Sequence, residues 1–186
     1  NFSAGANVGM IFMMAADGDF DELNFAVKAF QDTTMRIRYS NIPVVVAPHN
    51  MALGGGCEIS LHADKVVAHA ELYMGLVEFG VGLIPGGGGT KEFAKRLSED
   101  LHAGDIKINR LRDRFLTVGQ AKVSLSAYEA FDYGYLRGGI DEVVVSRAHH
   151  LTRAKAACLE MANKGYVPPK REKNITVVGQ EGLGIV

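Results

Sequence analysis

Two glutamates, each beside a run of glycines, carry most of the chemistry this sequence can do. The first run, Leu53-Gly54-Gly55-Gly56-Cys57-Glu58, ends on a carboxylate; the second glutamate opens Glu78-Phe79-Gly80-Val81-Gly82-Leu83-Ile84-Pro85-Gly86-Gly87-Gly88-Gly89-Thr90. Glycine costs roughly 0.5–1 kcal/mol relative to alanine inside a regular element, so three in succession need a reason other than propensity. A turn without Cβ atoms can present its N–H groups to an anion, and a helix starting there adds unpaired donors and the positive end of its dipole. The glycines alone fit a tightly packed strand-to-helix turn equally well. Singly, each acid also has a structural explanation: Glu58 complements a helix dipole, and Glu78 is a solvated loop residue. Two acids near one backbone oxyanion site suit general acid/base work, which needs paired groups whose pKa values the site can tune.

Other chemistries find less support. GxxxxGK[ST] fails in the second stretch, because Lys91 follows Thr90 and precedes Glu92, and GxGxxG fails at every glycine cluster. Lys91, Lys95, Arg96, Arg110, Arg112 and Arg114 read as a solvated helix face. A net charge of −1 over 186 residues offers no general attraction to nucleic acid or to an acidic membrane, so neither is expected as a partner. Cys57 and Cys158 make no disulfide framework and belong to no CxxC pair; both read as small buried residues in a reducing, cytoplasmic setting. No segment reads as a membrane span or a signal peptide, and no metal site is expected. The Asn174-Ile175-Thr176 sequon carries no meaning without a secretory signal. The absence of an initiator Met, the small-residue opening and the apolar finish Gly184-Ile185-Val186 suggest a piece of a longer polypeptide.

The elements that must position the glutamates emerge from periodicity. Residues 8–15 are apolar and Met-rich, and Asp17-Gly18-Asp19 interrupts them. Asp19 or Asp21 can cap the next segment, where Leu23, Val27, Phe30, Thr34 and Ile37 predict one core-facing stripe on a long helix ending near Tyr39. Asn41-Ile42-Pro43 stops it. Residues 44–47 read as a strand buried on both faces, with the first glycine turn directly after. Residues 57–62 read as a short helix, 65–68 as a buried strand and 72–74 as a shorter one. The second glycine stretch opens a helix with Phe93, Ala94 and Leu97 inside, and residues 99–116 read as helical. Ser126 caps a short helix stopped by Gly134, residues 140–145 form a strand, and Ser146 caps a last helix whose Leu151, Ala154, Cys158 and Met161 share a face. This alternation predicts an α/β domain with a largely parallel sheet, in which ligands sit where strands end and helices begin.

These motifs carry a resemblance. Phe2-Ser3-Ala4-Gly5-Ala6-Asn7, then Ile42-Pro43-Val44-Val45-Val46-Ala47 leading to Ala52-Leu53-Gly54-Gly55-Gly56-Cys57-Glu58, then Glu78 and Ile84-Pro85-Gly86-Gly87-Gly88-Gly89-Thr90, resemble the crotonase (enoyl-CoA hydratase/isomerase) superfamily in the right order from residue 1 to about 145. The resemblance implies a crotonase-like ββα spiral over residues 1–146, lacking its N-terminal strands, followed by a C-terminal helix and tail over 147–186. It implies an oxyanion hole from the N–H groups of Ala6 and Gly55, catalytic roles for Glu58 and Glu78, and substrate binding by Ala4, Asn7, Val8, Gly54, Pro85 and Gly86. Hydratases of the family carry both glutamates, whereas isomerases typically keep only the one matching Glu78, so hydration of an enoyl-CoA is favoured over isomerisation or a non-catalytic structural module. A coenzyme A thioester is then the substrate, with no covalently bound cofactor. Asn7 stands where many members have Asp, which leaves the backbone donor but changes the local charge. Crotonases commonly form trimers, for which the helix at residues 147–164 is a candidate contact. The wording from Tyr73 to Thr90 is most similar to hydratase domains joined to an upstream 3-hydroxyacyl-CoA dehydrogenase.

Overall fold

The computed structural model describes residues 1–102 and 104–184. Its repeating unit is two strands and a helix. Strand β1 (Val45–Val46) is followed by β2 (Asn50–Leu53), and the chain then enters a helix at Gly55–His62; β3 (Lys65–His69) and β4 (Leu72–Gly75) repeat the pattern, and β5 (Glu142–Val144) opens a third round. Each round gives its first strand to one sheet, ordered β1-β3-β5, and its second to another, β2-β4, with parallel pairing throughout. Val45 pairs with Lys65, Val67 with Glu142 and Asn50 with Leu72. The result is an α/β spiral.

Eight helices complete the described residues: α1 (Val8–Asp17), α2 (Phe20–Arg38), α3 (Gly55–His62), α4 (Gly89–Asp100), α5 (Lys107–Gly119), α6 (Ala127–Asp132), α7 (Arg147–Asn163) and α8 (Gln180–Leu183). Strand alternation divides the core in two. Val66 and Ala68 of β3 face Ala52, Cys57, Leu61, Leu72, Met74 and Tyr135, while Val67 faces Ala154 and Ala157 of α7. Asp141 ties β3 to the turn before β5, accepting from the Val66 N–H at 2.8 Å and the Arg137 N–H at 2.7 Å.

Several expectations change. Residues 44–47 are only half-buried, because β1 is a two-residue edge strand; the strand buried on both faces is β3. The strand entering the first glycine turn is β2, since the chain crosses between sheets at Pro48-His49 and Asn50 takes a positive φ of 55°, which asparagine tolerates. The Met-rich residues 8–15 form a helix, with the Asn7 side chain accepting from the Met10 N–H. The stripe on α2 is buried only toward its C-terminal half: Thr34 is buried, Leu23 and Phe30 half-buried and Val27 44% exposed. Residues 99–116 are two helices with a break at Leu101–Ile106, in which Ala103 lies outside the described residues. Leu151 is exposed, because α7 sits on the sheet through His150, Ala154 and Ala157; Cys158 is half-buried, its thiol donating to Pro43 O at 3.4 Å. Residues Ile185 and Val186 of the apolar finish lie outside the described residues.

Candidate active site

The first glycine turn is built against the N-terminal segment. The Ser3 N–H donates to Met51 O at 2.8 Å and the Leu53 N–H to Ser3 O at 3.0 Å, which pairs Ser3 with β2 and brings Gly5 against Leu53 and Gly54. The Gly54 N–H is consumed by Gly75 O at 2.9 Å. Gly55, the first residue of α3, precedes the intrahelical hydrogen-bond ladder, so its N–H has no partner within the helix. Ala6 is exposed on the neighbouring turn, ahead of the Asn7 cap. The structure thus brings the two expected oxyanion donors onto adjacent turns.

Glu58 and Glu78 meet this site in different ways. Glu58, one turn into α3 and 2% exposed, accepts at Oε1 from the N–H groups of Gly87 at 2.8 Å and Gly89 at 2.9 Å. Burial raises its pKa, and the two donors hold it back. Glu78 begins the 3-10 turn Glu78–Val81. Its Oε1 lies 3.3 Å from where a Cβ on Gly54 would stand, and its Oε2 is buried with no hydrogen-bond partner. Burial pushes its pKa up to about 7, its own backbone N–H opposes this, and the nearby Glu58 charge adds to the rise. A buried unpartnered oxygen costs about 1–3 kcal/mol, more when charged, which favours the protonated form of this group.

The other expected residues divide. Gly54 and Pro85 are buried and Gly86 is half-buried, all close to the two acids in the chain. Ala4 and Asn7 are exposed, and Val8 is 41% exposed at the start of α1. The Asn7 side chain is committed to its cap, with Oδ1 3.2 Å from the Met10 N–H.

Two features escaped the sequence. Phe30 of α2 lays its ring over the site: a Cβ on Gly55 would stand 3.1 Å from Phe30 Cζ, and one on Gly87 would stand 2.2 Å from Phe30 Cε1 and 2.4 Å from Glu58 Oε2. Its place on the α2 stripe marked it as apolar, but nothing local showed what it covers. Behind Glu58, His62 bonds Glu58 O through Nδ1 at 2.6 Å and meets Lys91 Nζ through Nε2 at 2.9 Å. With Lys91 donating at Nε2, Nδ1 carries the proton; burial depresses the ring's pKa to about 4, keeping it neutral. Lys91 also pairs with Glu92 at 2.8 Å, and Arg38 grips the same buried carboxylate. Lys91 and Arg96 therefore leave the predicted solvated face. Arg96 is 8% exposed because three backbone carbonyls, Leu61, Gly134 and Tyr135, receive its guanidinium at 2.9–3.2 Å.

An apolar cavity of about 200 Å³ adjoins the chain next to Glu78, lined by Phe79, Phe93, Leu97, Leu111, Phe115 and Val118. Among the described residues, no group of three or more His, Cys, Asp or Glu side chains could hold a metal ion, and no helix is long and apolar enough to cross a membrane.

Residues 1–104 match the model of the enoyl-CoA hydratase/isomerase family. The "Probable 3-hydroxyacyl-CoA dehydrogenase" of Bacillus subtilis is 44% identical over 182 residues, 98% of this chain and 22% of the relative. The fatty acid oxidation complex subunit alpha of Shewanella loihica is 29% identical over 95% of this chain and 22% of its own length. Among solved structures, the enoyl-CoA hydratase of Bacillus anthracis superposes with a TM-score of 0.60 at 27% identity, covering 76% of this chain and 48% of that one. The chain spans about a fifth of the length of these curated relatives and about half of that solved structure. A match over more than half its residues, on a spiral of parallel ββα rounds with its backbone donors and paired glutamates, places this chain in the enoyl-CoA hydratase/isomerase family, within the crotonase superfamily.

Proposed function

We propose that this chain carries an enoyl-CoA hydratase site, which adds water across the double bond of a trans-2-enoyl-CoA to give a 3-hydroxyacyl-CoA, as in fatty-acid β-oxidation. The observation that carries the reading is the pair of unequal acids. Glu58 is gripped by two backbone donors that favour its ionised form, whereas Glu78 is half-buried, its buried Oε2 unpartnered and its pKa pushed up to about 7. One group is suited to take a proton and the other to hold one.

In this reading the N–H groups of Ala6 and Gly55 receive the thioester oxygen. The Glu58 carboxylate takes a proton from water as its oxygen bonds C3, the π electrons move through C2 onto the thioester oxygen, and Glu78 gives its proton to C2 as the enolate collapses. Each preorganised donor is worth on the order of 10²–10³ in rate. Isomerisation needs only one carboxylate, and the tethering of Glu58 favours hydration over it. Coenzyme A recognition draws further support from a Thermobifida fusca relative of the same fold, 16% identical and solved in complex with CoA. The curated relative named as a 3-hydroxyacyl-CoA dehydrogenase, of which this chain spans 22%, supports a longer polypeptide that also holds a dehydrogenase; its upstream position and a trimeric assembly are what the family resemblance implies.

The test uses the full natural polypeptide containing these residues and crotonyl-CoA, followed by loss of enoyl absorbance. Turnover is expected, and Glu58→Gln and Glu78→Gln should each lower kcat by at least about 10²-fold. Full activity in either variant removes the assigned role. Retained conversion of a 3-enoyl thioester in Glu58→Gln, without hydration in the wild type, selects the isomerase instead.

A further inference from the structure

The acid Glu58 is held by N–H groups of a glycine turn, and glycine peptide units swivel easily. Something must hold the turn. Gly86 O and the Gly87 N–H belong to one planar peptide unit, so fixing the carbonyl fixes the direction of the N–H. That carbonyl accepts from Gln31 Nε2 of α2 at 2.8 Å, while the N–H on the opposite edge donates to Glu58 Oε1 at 2.8 Å. The next peptide unit is caught as well: Thr34 Oγ1 lies 2.9 Å from Gly87 O, its single proton shared with Gln31 O at 2.9 Å. One turn further, Arg38 grips Glu92, whose N–H closes on Gly88 O at 3.0 Å. Gln31, Thr34 and Arg38 fall at spacings of three and four on one face of α2, so one helix holds two consecutive carbonyls of the turn directly and the third through Glu92.

We propose that Gln31 and Thr34 are positioning residues for the base: Gln31 holds the Gly86 carbonyl, whose peptide unit carries the Gly87 N–H aimed at Glu58, and Thr34 holds the Gly87 carbonyl and so fixes the other side of the same residue, with Arg38 and Glu92 anchoring the helix to α4. The catalytic part of this rests on the hydratase reading; the geometric part does not. Two bonds in series through a peptide also polarise one another, so loss of the Gln31 donor weakens the Gly87 bond to Glu58. Phe30, adjacent in the same helix and packed on Gly87, closes the remaining side of the turn.

The groups that face Glu58 and would influence its titration are Glu78 from the second loop, His62 one turn along α3, and the Arg38, Glu92 and Lys91 cluster from α2 and α4. None is altered by the test. In the full polypeptide, the double variant Gln31→Met/Thr34→Val is compared with the wild type and with Thr34→Ser, which keeps the hydroxyl. Two readouts are taken: the carboxyl titration of Glu58 by ¹³C NMR in the absence of substrate, assigned with Glu58→Gln, and kcat and KM for crotonyl-CoA. The double variant should titrate Glu58 at higher pH, because the donors that favour its charged form are loosened, and should lose about tenfold in kcat with KM within about twofold. Thr34→Ser should match the wild type in both. An unchanged Glu58 titration in the double variant overturns the positioning role, whatever happens to activity. A wild type that does not hydrate crotonyl-CoA overturns the hydratase reading alone, and the titration still decides the positioning role. Because Gln31 is exposed, the single variant Gln31→Met tests the same shift with the least risk to folding.

Discussion

The two glycine turns look alike in sequence and do opposite things. In the first, Gly54 gives its N–H to Gly75 within the protein, and Gly55 starts α3 with its donor outside the helical ladder. In the second, the N–H groups of Gly87 and Gly89 both point inward and are taken by Glu58. The second turn is an anion site whose anion is already present, as a carboxylate of the same chain. A run of glycines at a helix start therefore does not say by itself whether an anion is bound or whose it is; the three-dimensional partner does.

The sharpest way to break this contrast is to add one methyl group to each turn. In Gly87→Ala the new Cβ stands 2.2 Å from Phe30 Cε1 and 2.4 Å from Glu58 Oε2, so ring and carboxylate must both move. The expected loss in kcat on crotonyl-CoA is about 10²-fold, the scale of a misplaced acid/base group. In Gly55→Ala the nearest atom is Phe30 Cζ at 3.1 Å, a ring edge that can shift by a few tenths of an ångström, and the N–H stays. A loss below about tenfold is expected there. Equal losses in the two variants would erase the distinction between a turn that serves the substrate and one that serves Glu58.

A second difference is electrostatic. Glu58 keeps two donors and Glu78 Oε2 has none, so the two acids should affect folding differently as pH changes. Glu78 has its folded pKa raised from 4.5 to about 7, mainly by burial. The folded state then binds more protons than the unfolded state between those values, so the stability this group contributes is present below pH 4.5 and is lost as pH rises through about 7. Glu78→Gln cannot titrate. Urea unfolding at pH 5 and pH 8 should show the wild type losing stability relative to this variant across that interval. A constant difference between the two proteins would mean that Glu78 titrates normally.

Much of this arrangement was legible before folding, for identifiable reasons. The acids sit beside glycines, the α2 stripe is periodic, and β3 is a continuous apolar run, so each announced itself through neighbours in the chain. What could not be read depends on partners far along it. Strand β2, Asn50-Met51-Ala52-Leu53, has no clean alternation and owes its form to β4 and to Ser3. Arg96 reads as a surface charge because its three carbonyl partners come from α3 and from the turn after α6. Gln31 and Thr34 look like polar residues on a helix, and their function appears only when the turn at Gly86 and Gly87, more than fifty positions away, is set against them.

The smallest expected effect concerns the other side of the first turn, where Asn7 follows the Ala6 donor. Its side chain accepts from the Met10 N–H at 3.2 Å and so begins α1, a helix with no buried residue. Removing such a cap costs about 1 kcal/mol of helix stability. Because α1 buries so little, the cost in Asn7→Ala should appear as local fraying: faster amide exchange in residues 8–17, with the melting temperature of the whole chain nearly unchanged. Asn7→Asp keeps a capping oxygen and should retain the wild-type exchange pattern. If Asn7→Ala instead lowered the global melting temperature by as much as Gly87→Ala, the Ala6 turn would be part of the folded core, and the contrast between an open donor turn and a closed, carboxylate-filled one would fail.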